Sequence, residues 1–209
     1  MVSGGSGNSF QPLGANAPFR GGVMIETTQP AHPRSHARAT GAVYLNYFAT
    51  AIVGLLLKSH KLPAGGVLIG LASVLYATVT ILLYRLFRRA QPLLALAAAL
   101  CGLAGCINDG LQRLDHSLKA RSSLLFFGPF CVPLGVLIMR SQFLPHWLGW
   151  PLILAGLGWL AYLNPQVAQH ASILIFPVGF LAEFGFMLWL LLRGVDESHW
   201  RETKTAFSR

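Results

Sequence analysis

The sequence predicts an all-α, polytopic transmembrane helix bundle of six spans, and three observations carry that prediction. Charged residues make up only 11% of the 209 residues, against roughly 25% in an average soluble domain, too few to coat a water-soluble fold. Hydrophobic residues make up 54%. They come in blocks approaching about 20 residues, the length at which a helix rising 1.5 Å per residue crosses roughly 30 Å of hydrocarbon. The blocks lack the alternation of polar and apolar residues that a transmembrane barrel strand shows.

Residues 1–39 differ in kind from the rest of the chain. Gly, Ser, Pro and Asn dominate there without an apolar run, which predicts a disordered cytoplasmic tail with no signal-peptide core. Met24 offers an internal start, so that residues 1–23 read as an upstream extension of the frame. Residues 40–195 form the six-helix transmembrane domain, and 196–209 a short polar cytoplasmic tail. The six expected spans cover about 40–57, 64–84, 92–108, 122–139, 146–163 and 172–192. Lys58, His60 and Lys61 end the first; Arg85, Arg88 and Arg89 end the second. The third fades into the polar stretch 109–121. Arg140, Asn164-Pro165 and Arg193-Gly194 end the remaining three. Pro92 and Pro145 fall where helices begin and a missing N–H costs little. Pro129, Pro133, Pro151 and Pro177 fall within spans or near their ends, where they kink or loosen a helix.

The net charge of +9 raises the question of nucleic acid. The basic residues, however, lie in short clusters between apolar blocks, as topology-setting charges do, and no nucleic-acid partner is expected. With the N-terminus inside, 11 Lys and Arg fall on cytoplasmic segments and 5 on outer ones. That bias places both termini in the cytoplasm. The lipid bilayer is the expected partner, with room for a membrane-protein partner beside it.

Glu183 is the outstanding residue, about ten residues and roughly 15 Å from the Arg193 end of its span. A carboxyl group at that depth must be protonated, paired or in a wet cavity. It is either a proton-carrying or ligand-contacting acid, or polar glue between helices. Its polar neighbours at compatible depth are expected to be Asn46, Tyr76, Thr78 and Thr80, none of them a cation. Asn108 and Asp109 read as an outer helix terminus, with ligand or cation entry as the functional alternative. The candidate ligand or proton-binding residues are therefore Glu183, Asn46, Tyr76 and Asp109.

Small residues at helical spacing, namely Gly66 and Gly70, then Ala98, Gly102 and Cys106, then Gly179, Ala182 and Gly185, are expected to let helices approach closely. Trp147, Trp150, Tyr162, Trp189 and Trp200 suit an aromatic belt. Cys101, Cys106 and Cys131 lie in apolar blocks as small hydrophobes. His116, His146 and His170 are isolated at interfaces without ligand spacing, and no haem, metal or other cofactor is expected. No catalytic residue is nominated.

The second half of the chain carries a resemblance. Phe127-Gly128 opens the fourth helix; Ser141 and Phe143-Leu144-Pro145 form a loop leading into Leu148-Gly149 and Ala155-Gly156. Pro177, Glu183, Trp189-Leu190-Leu191 and Gly194-Val195 mark the last helix. This pattern resembles the bacterial domain-of-unknown-function family 4386. The likeness extends more loosely back to Ala37 and is specific from Phe127 onward. The chain departs from the family in its short loop 58–63, in Phe130 where a histidine is frequent, and in the apolar surroundings of Cys101 and Leu103. The resemblance implies a six-helix bacterial membrane protein and supplies no reaction.

Three functional readings are open to such a chain. The first is a non-enzymatic sensor or membrane-complex partner in the bacterial cytoplasmic membrane. The second is a small proton-coupled transporter using Glu183. The third is an intramembrane enzyme on a lipid substrate, built on Asp109, Asp115 and His116.

Overall fold

The computed structural model describes residues 32–114 and 123–200. Most of the expected tail, the second half of the outer polar stretch with Asp115 and His116, and the last nine residues lie outside them. The described residues are almost wholly helical. The α-helices are α1 (Pro33–Ser59), α2 (Pro63–Phe87), α3 (Pro92–Leu114), α4 (Phe127–Arg140), α5 (Gly149–Trp159) and α6 (Pro165–Leu192). Single 3₁₀ turns extend the two short helices: Ser123–Phe126 leads into α4, while His146–Leu148 and Leu160–Leu163 flank α5.

Proline sits at the start of α1, α2 and α3, where its fixed φ suits the first turn and its missing N–H leaves no bond unmade. Asn164 caps α6 by accepting from the Gln166 N–H at 3.0 Å, a standard N-cap contact. Two helices begin about seven residues before the expected spans. Residues 33–39, expected to be tail, are the first two turns of α1, and α6 starts at Pro165 instead of near 172. Polar sequence hid both starts, because a helix can run on past the hydrocarbon boundary where its side chains meet water.

Among the described residues, four helices are long and apolar enough to cross a membrane by length and composition alone: α1, α2, α3 and the 169–192 part of α6. Their outward surface is apolar too, with Val67, Leu93 and Ile173 more than 70% exposed. Such an exterior suits lipid and not water.

Each helix packs on its neighbours in sequence, and α6 closes the ring against α1. Paired contacts fix the antiparallel register. At the α1–α2 seam Gly54 lies against Ile69 and Gly65 against Lys58. At the α1–α6 seam the Arg34 and Arg38 side chains donate to the Arg193 and Leu192 carbonyls, at 3.3 and 3.1 Å. These cations satisfy carbonyls that the end of α6 leaves unpaired and complement its dipole. The first described residues and the end of α6 therefore share one end of the bundle.

The α4–α5 seam is close along its length. A Cβ on Gly128 would lie 2.9 Å from the Gly156 carbonyl oxygen, and one on Gly135 would lie 2.6 Å from that of Gly149. The two glycines on each helix are seven residues apart, so two successive contacts align along one stripe. Of the small residues expected to mediate packing, Gly102 touches Thr80 and Phe130, and Gly179 touches Trp159. Gly66, Gly70 and Gly185 instead have nothing near their missing side chains. Spacing marks a face of a helix without saying whether that face meets another helix.

Candidate functional site

Tyr44 lies ten residues in from Arg34 on α1, and Glu183 ten residues in from Arg193 on α6. Because those arginines meet, antiparallel packing brings Tyr44 and Glu183 to one level, roughly 15 Å inside. The Tyr44 hydroxyl donates to Glu183 Oε2 at 2.6 Å. From α4, the Cys131 thiol reaches Glu183 Oε1 at 3.5 Å. Tyr44 and Cys131 are fully buried and Glu183 is 5% exposed. The carboxyl group thus joins α6 to α1, its ring neighbour, and to α4 across the ring. Its surroundings are apolar and aromatic, so the energy of these two bonds is not shared with water.

The polar residues expected near Glu183 are placed differently. Asn46 is on the exposed side of α1 and donates to the Ala42 carbonyl at 2.9 Å. Thr78 and Thr80 bond back to the Val74 and Tyr76 carbonyls, at 3.0 and 2.9 Å. Hydroxyl and amide side chains inside a helix commonly satisfy themselves in this way. Tyr76 does belong to the centre. Its ring is 6.2 Å from that of Tyr44, edge to face, and 4.9 Å from that of Tyr47. It also meets Phe130 and Phe127, at 5.6 and 5.1 Å. The Tyr76 hydroxyl is buried and has no hydrogen-bond partner among the described residues.

Tyr76 forms one wall of a cavity of about 240 Å³ between α1, α2, α3 and α4. Tyr47, Phe127 and Phe130 continue that wall, while Ser73 and Asp109 make the polar end. Asp109 is held on α3 by Arg113, whose Nε and Nη2 donate to its two oxygens at 3.0 and 3.1 Å. The Ser73 hydroxyl on α2 donates to the same carboxylate. Asp109 thus lies on the third helix beside the cavity, not beyond its terminus. Among the described residues no set of three or more histidine, cysteine, aspartate or glutamate side chains could hold a metal ion.

Tyr44 and Cys131 are the contacts that sequence reasoning missed. Tyr44 falls near the edge of a span that begins at residue 40 and deep inside one that begins at Pro33. Equal depth from Arg34 and Arg193 was the available signal. Cys131 offered none, since its apolar setting reads the same with or without an acid beside it.

No curated protein and no solved structure matches the chain. A family match covers the segment that supplies α4 with Cys131, α5, and α6 with Glu183, and includes the motif residues from Phe127 to Gly194. Over residues 116–194 the chain matches the family model described as Domain of unknown function (DUF4386).

Proposed function

We propose that this protein is a non-enzymatic, six-span sensor of the bacterial cytoplasmic membrane, with both termini in the cytoplasm, that responds to a small ligand in the α1–α4 cavity. The observation that carries this reading is the Tyr76–Tyr44 edge-to-face contact. Tyr76 is a wall of the cavity, and Tyr44 holds the carboxyl group that ties α6 to α1 and α4. A ligand that shifts the Tyr76 ring acts on the central tie through a single aromatic contact.

The six-span count is supported by length. With 3₁₀ turns rising about 2.0 Å per residue, the helical stretches 123–140 and 146–163 each reach roughly 30 Å, close to the hydrocarbon thickness. The inside orientation is supported by Arg34, Arg38, Arg85, Arg88, Arg89, Arg140 and Arg193, which fall at the two termini of the bundle and at the α2–α3 and α4–α5 turns.

The sensor reading is tested through Cys131, in a Cys101→Ala, Cys106→Ala background where it is the one thiol left. Its alkylation by N-ethylmaleimide is followed with and without naphthalene, whose own fluorescence reports occupancy. Ligand that reaches the tie changes the alkylation rate. An unchanged rate with naphthalene bound would show a passive void and overturn the reading.

A further inference from the structure

The two oxygens of Glu183 are unequally served. Oε2 accepts from the Tyr44 hydroxyl at 2.6 Å. Oε1 has the Cys131 thiol at 3.5 Å, and a thiol is a weak donor. The Tyr76 hydroxyl, a stronger donor, is turned towards Glu183, Tyr44 and Cys131 and bonds to none of them. A buried hydroxyl without a partner costs free energy. The better donor therefore stands idle beside an oxygen that the weaker one occupies.

Packing of the Tyr76 ring keeps its hydroxyl off the carboxyl group. Tyr44, Tyr47, Phe127 and Phe130 hold the ring by edge and tilted contacts. The ring also lines the cavity of about 240 Å³, and a side chain bordering a void forgoes dispersion contacts there. A body in the cavity supplies those contacts and bears on the ring from the side away from Glu183. The hydroxyl has no surface in the cavity, so such a body presses on the ring and does not compete for its polar end.

We propose that Glu183 Oε1 has two alternative donors, and that a ligand against the Tyr76 ring brings the Tyr76 hydroxyl onto it in place of the Cys131 thiol. This proposal rests on the sensor reading and names how occupancy of the cavity alters the tie. Tyr44 keeps its bond, so α1 and α6 stay joined. The third helix at the carboxyl group changes from α4 to α2, and α4 loses its polar link to α6. The coupling is reciprocal: whatever favours the phenol at Oε1 tightens the ligand by the same factor.

The test reads the Cys131 thiol directly, on the full chain in detergent micelles. Cys101→Ala and Cys106→Ala leave one S–H stretching band in the infrared, and a hydrogen-bonded thiol absorbs at lower frequency than a free one. Naphthalene is the ligand probe, followed by its own fluorescence. Naphthalene is expected to move the band to higher frequency, and in Tyr76→Phe to bind without moving it. Cys131→Ala removes the competing donor and is expected to tighten naphthalene about fivefold, the worth of one net hydrogen bond. Ala51→Phe places a ring in the cavity and is expected to abolish the naphthalene effect on the band. A band that moves equally in Tyr76→Phe would overturn the exchange and leave the sensor reading standing, because the ring contact alone then carries the signal. A band unmoved by bound naphthalene would also overturn the exchange, and the sensor reading falls with it when the alkylation rate is unchanged too. Where Tyr76→Phe fails to fold, Cys131→Ala decides: unchanged or weaker naphthalene binding overturns the exchange. A full naphthalene effect in Ala51→Phe would show that the cavity is not the site, and both readings fail.

Discussion

Replacing Glu183 by leucine keeps a buried side chain of similar bulk but deprives the Tyr44 hydroxyl of the oxygen it meets at 2.6 Å. Tyr44 is fully buried and water cannot take over, so the orphaned hydroxyl is expected to cost about 1–3 kcal/mol. Tyr44→Phe removes the donor instead and is expected to cost about 1 kcal/mol, within the range found for hydrogen bonds between helices in membranes. The double variant Tyr44→Phe, Glu183→Leu has neither partner, and an apolar pair of similar shape carries no orphan penalty. Its destabilisation should therefore fall short of the sum of the single effects by about 1–2 kcal/mol. Glu183→Gln supplies an amide oxygen to the same hydroxyl and should be close to neutral. Reversible unfolding in mixed micelles, followed by helical circular dichroism, reads all four variants. Additivity within about 0.5 kcal/mol would refute the claim that this bond ties α1 to α6.

Gly135→Ala forces a methyl group to within 2.6 Å of the Gly149 carbonyl and should destabilise the same unfolding transition by about 1–3 kcal/mol. Gly66→Ala, whose methyl meets open space, should be neutral or stabilise by up to about 1 kcal/mol through helix propensity. Arg38→Ala removes the donor to the Leu192 carbonyl and should cost about 0.5–1 kcal/mol in that transition. The Asp196 carboxyl is held at about 2 by the Ser198 hydroxyl, the Ser198 N–H and His199, below the usual aspartate value of 3.8. Its lowered value means that its contacts favour the fold at neutral pH and are lost as pH falls through about 2. Ser198→Ala should raise the titration midpoint of this group in a carboxyl-labelled NMR experiment. Reporter fusions after Leu62 and after Pro165 should read as external and one after Arg209 as cytoplasmic; an external C-terminus would overturn the topology.

The sequence made the helices legible and their ends less so. Apolar blocks marked the middle stretches of the helices, interior and outward faces alike. The fifth stretch, 146–163, coincides with the 3₁₀ turns and α5 taken together, because charged or proline-marked turns bound it on both sides. α1 and α6 outran their apolar blocks, since polar residues outside the hydrocarbon carry no hydropathy signal. Glu183 stood out because an acid in an apolar run must be protonated, paired or in a wet cavity, whether it acts or only ties helices together. Its partners did not, because tyrosine and cysteine are ordinary residues in such runs. The cavity was legible only in Tyr76 and Asp109, taken separately. That they lie on the walls of one space depends on how α2 and α3 rotate about their axes, which a ring of interior contacts decides and a single helix does not encode.

The paired glycines of α4 and α5 bear on how the chain enters a membrane. α5 has only 11 α-helical residues and α4 has 14, each short of the ~20 that span hydrocarbon without help. Brought together at two glycine contacts, they present one thick apolar hairpin to the surrounding acyl chains. On the six-span reading the hairpin, and not α4 or α5 alone, is then the unit expected to enter the bilayer. A bulky side chain at Gly135 or Gly149 would act at that step, before any ring exists to be destabilised, and would be seen as loss of protein from the membrane.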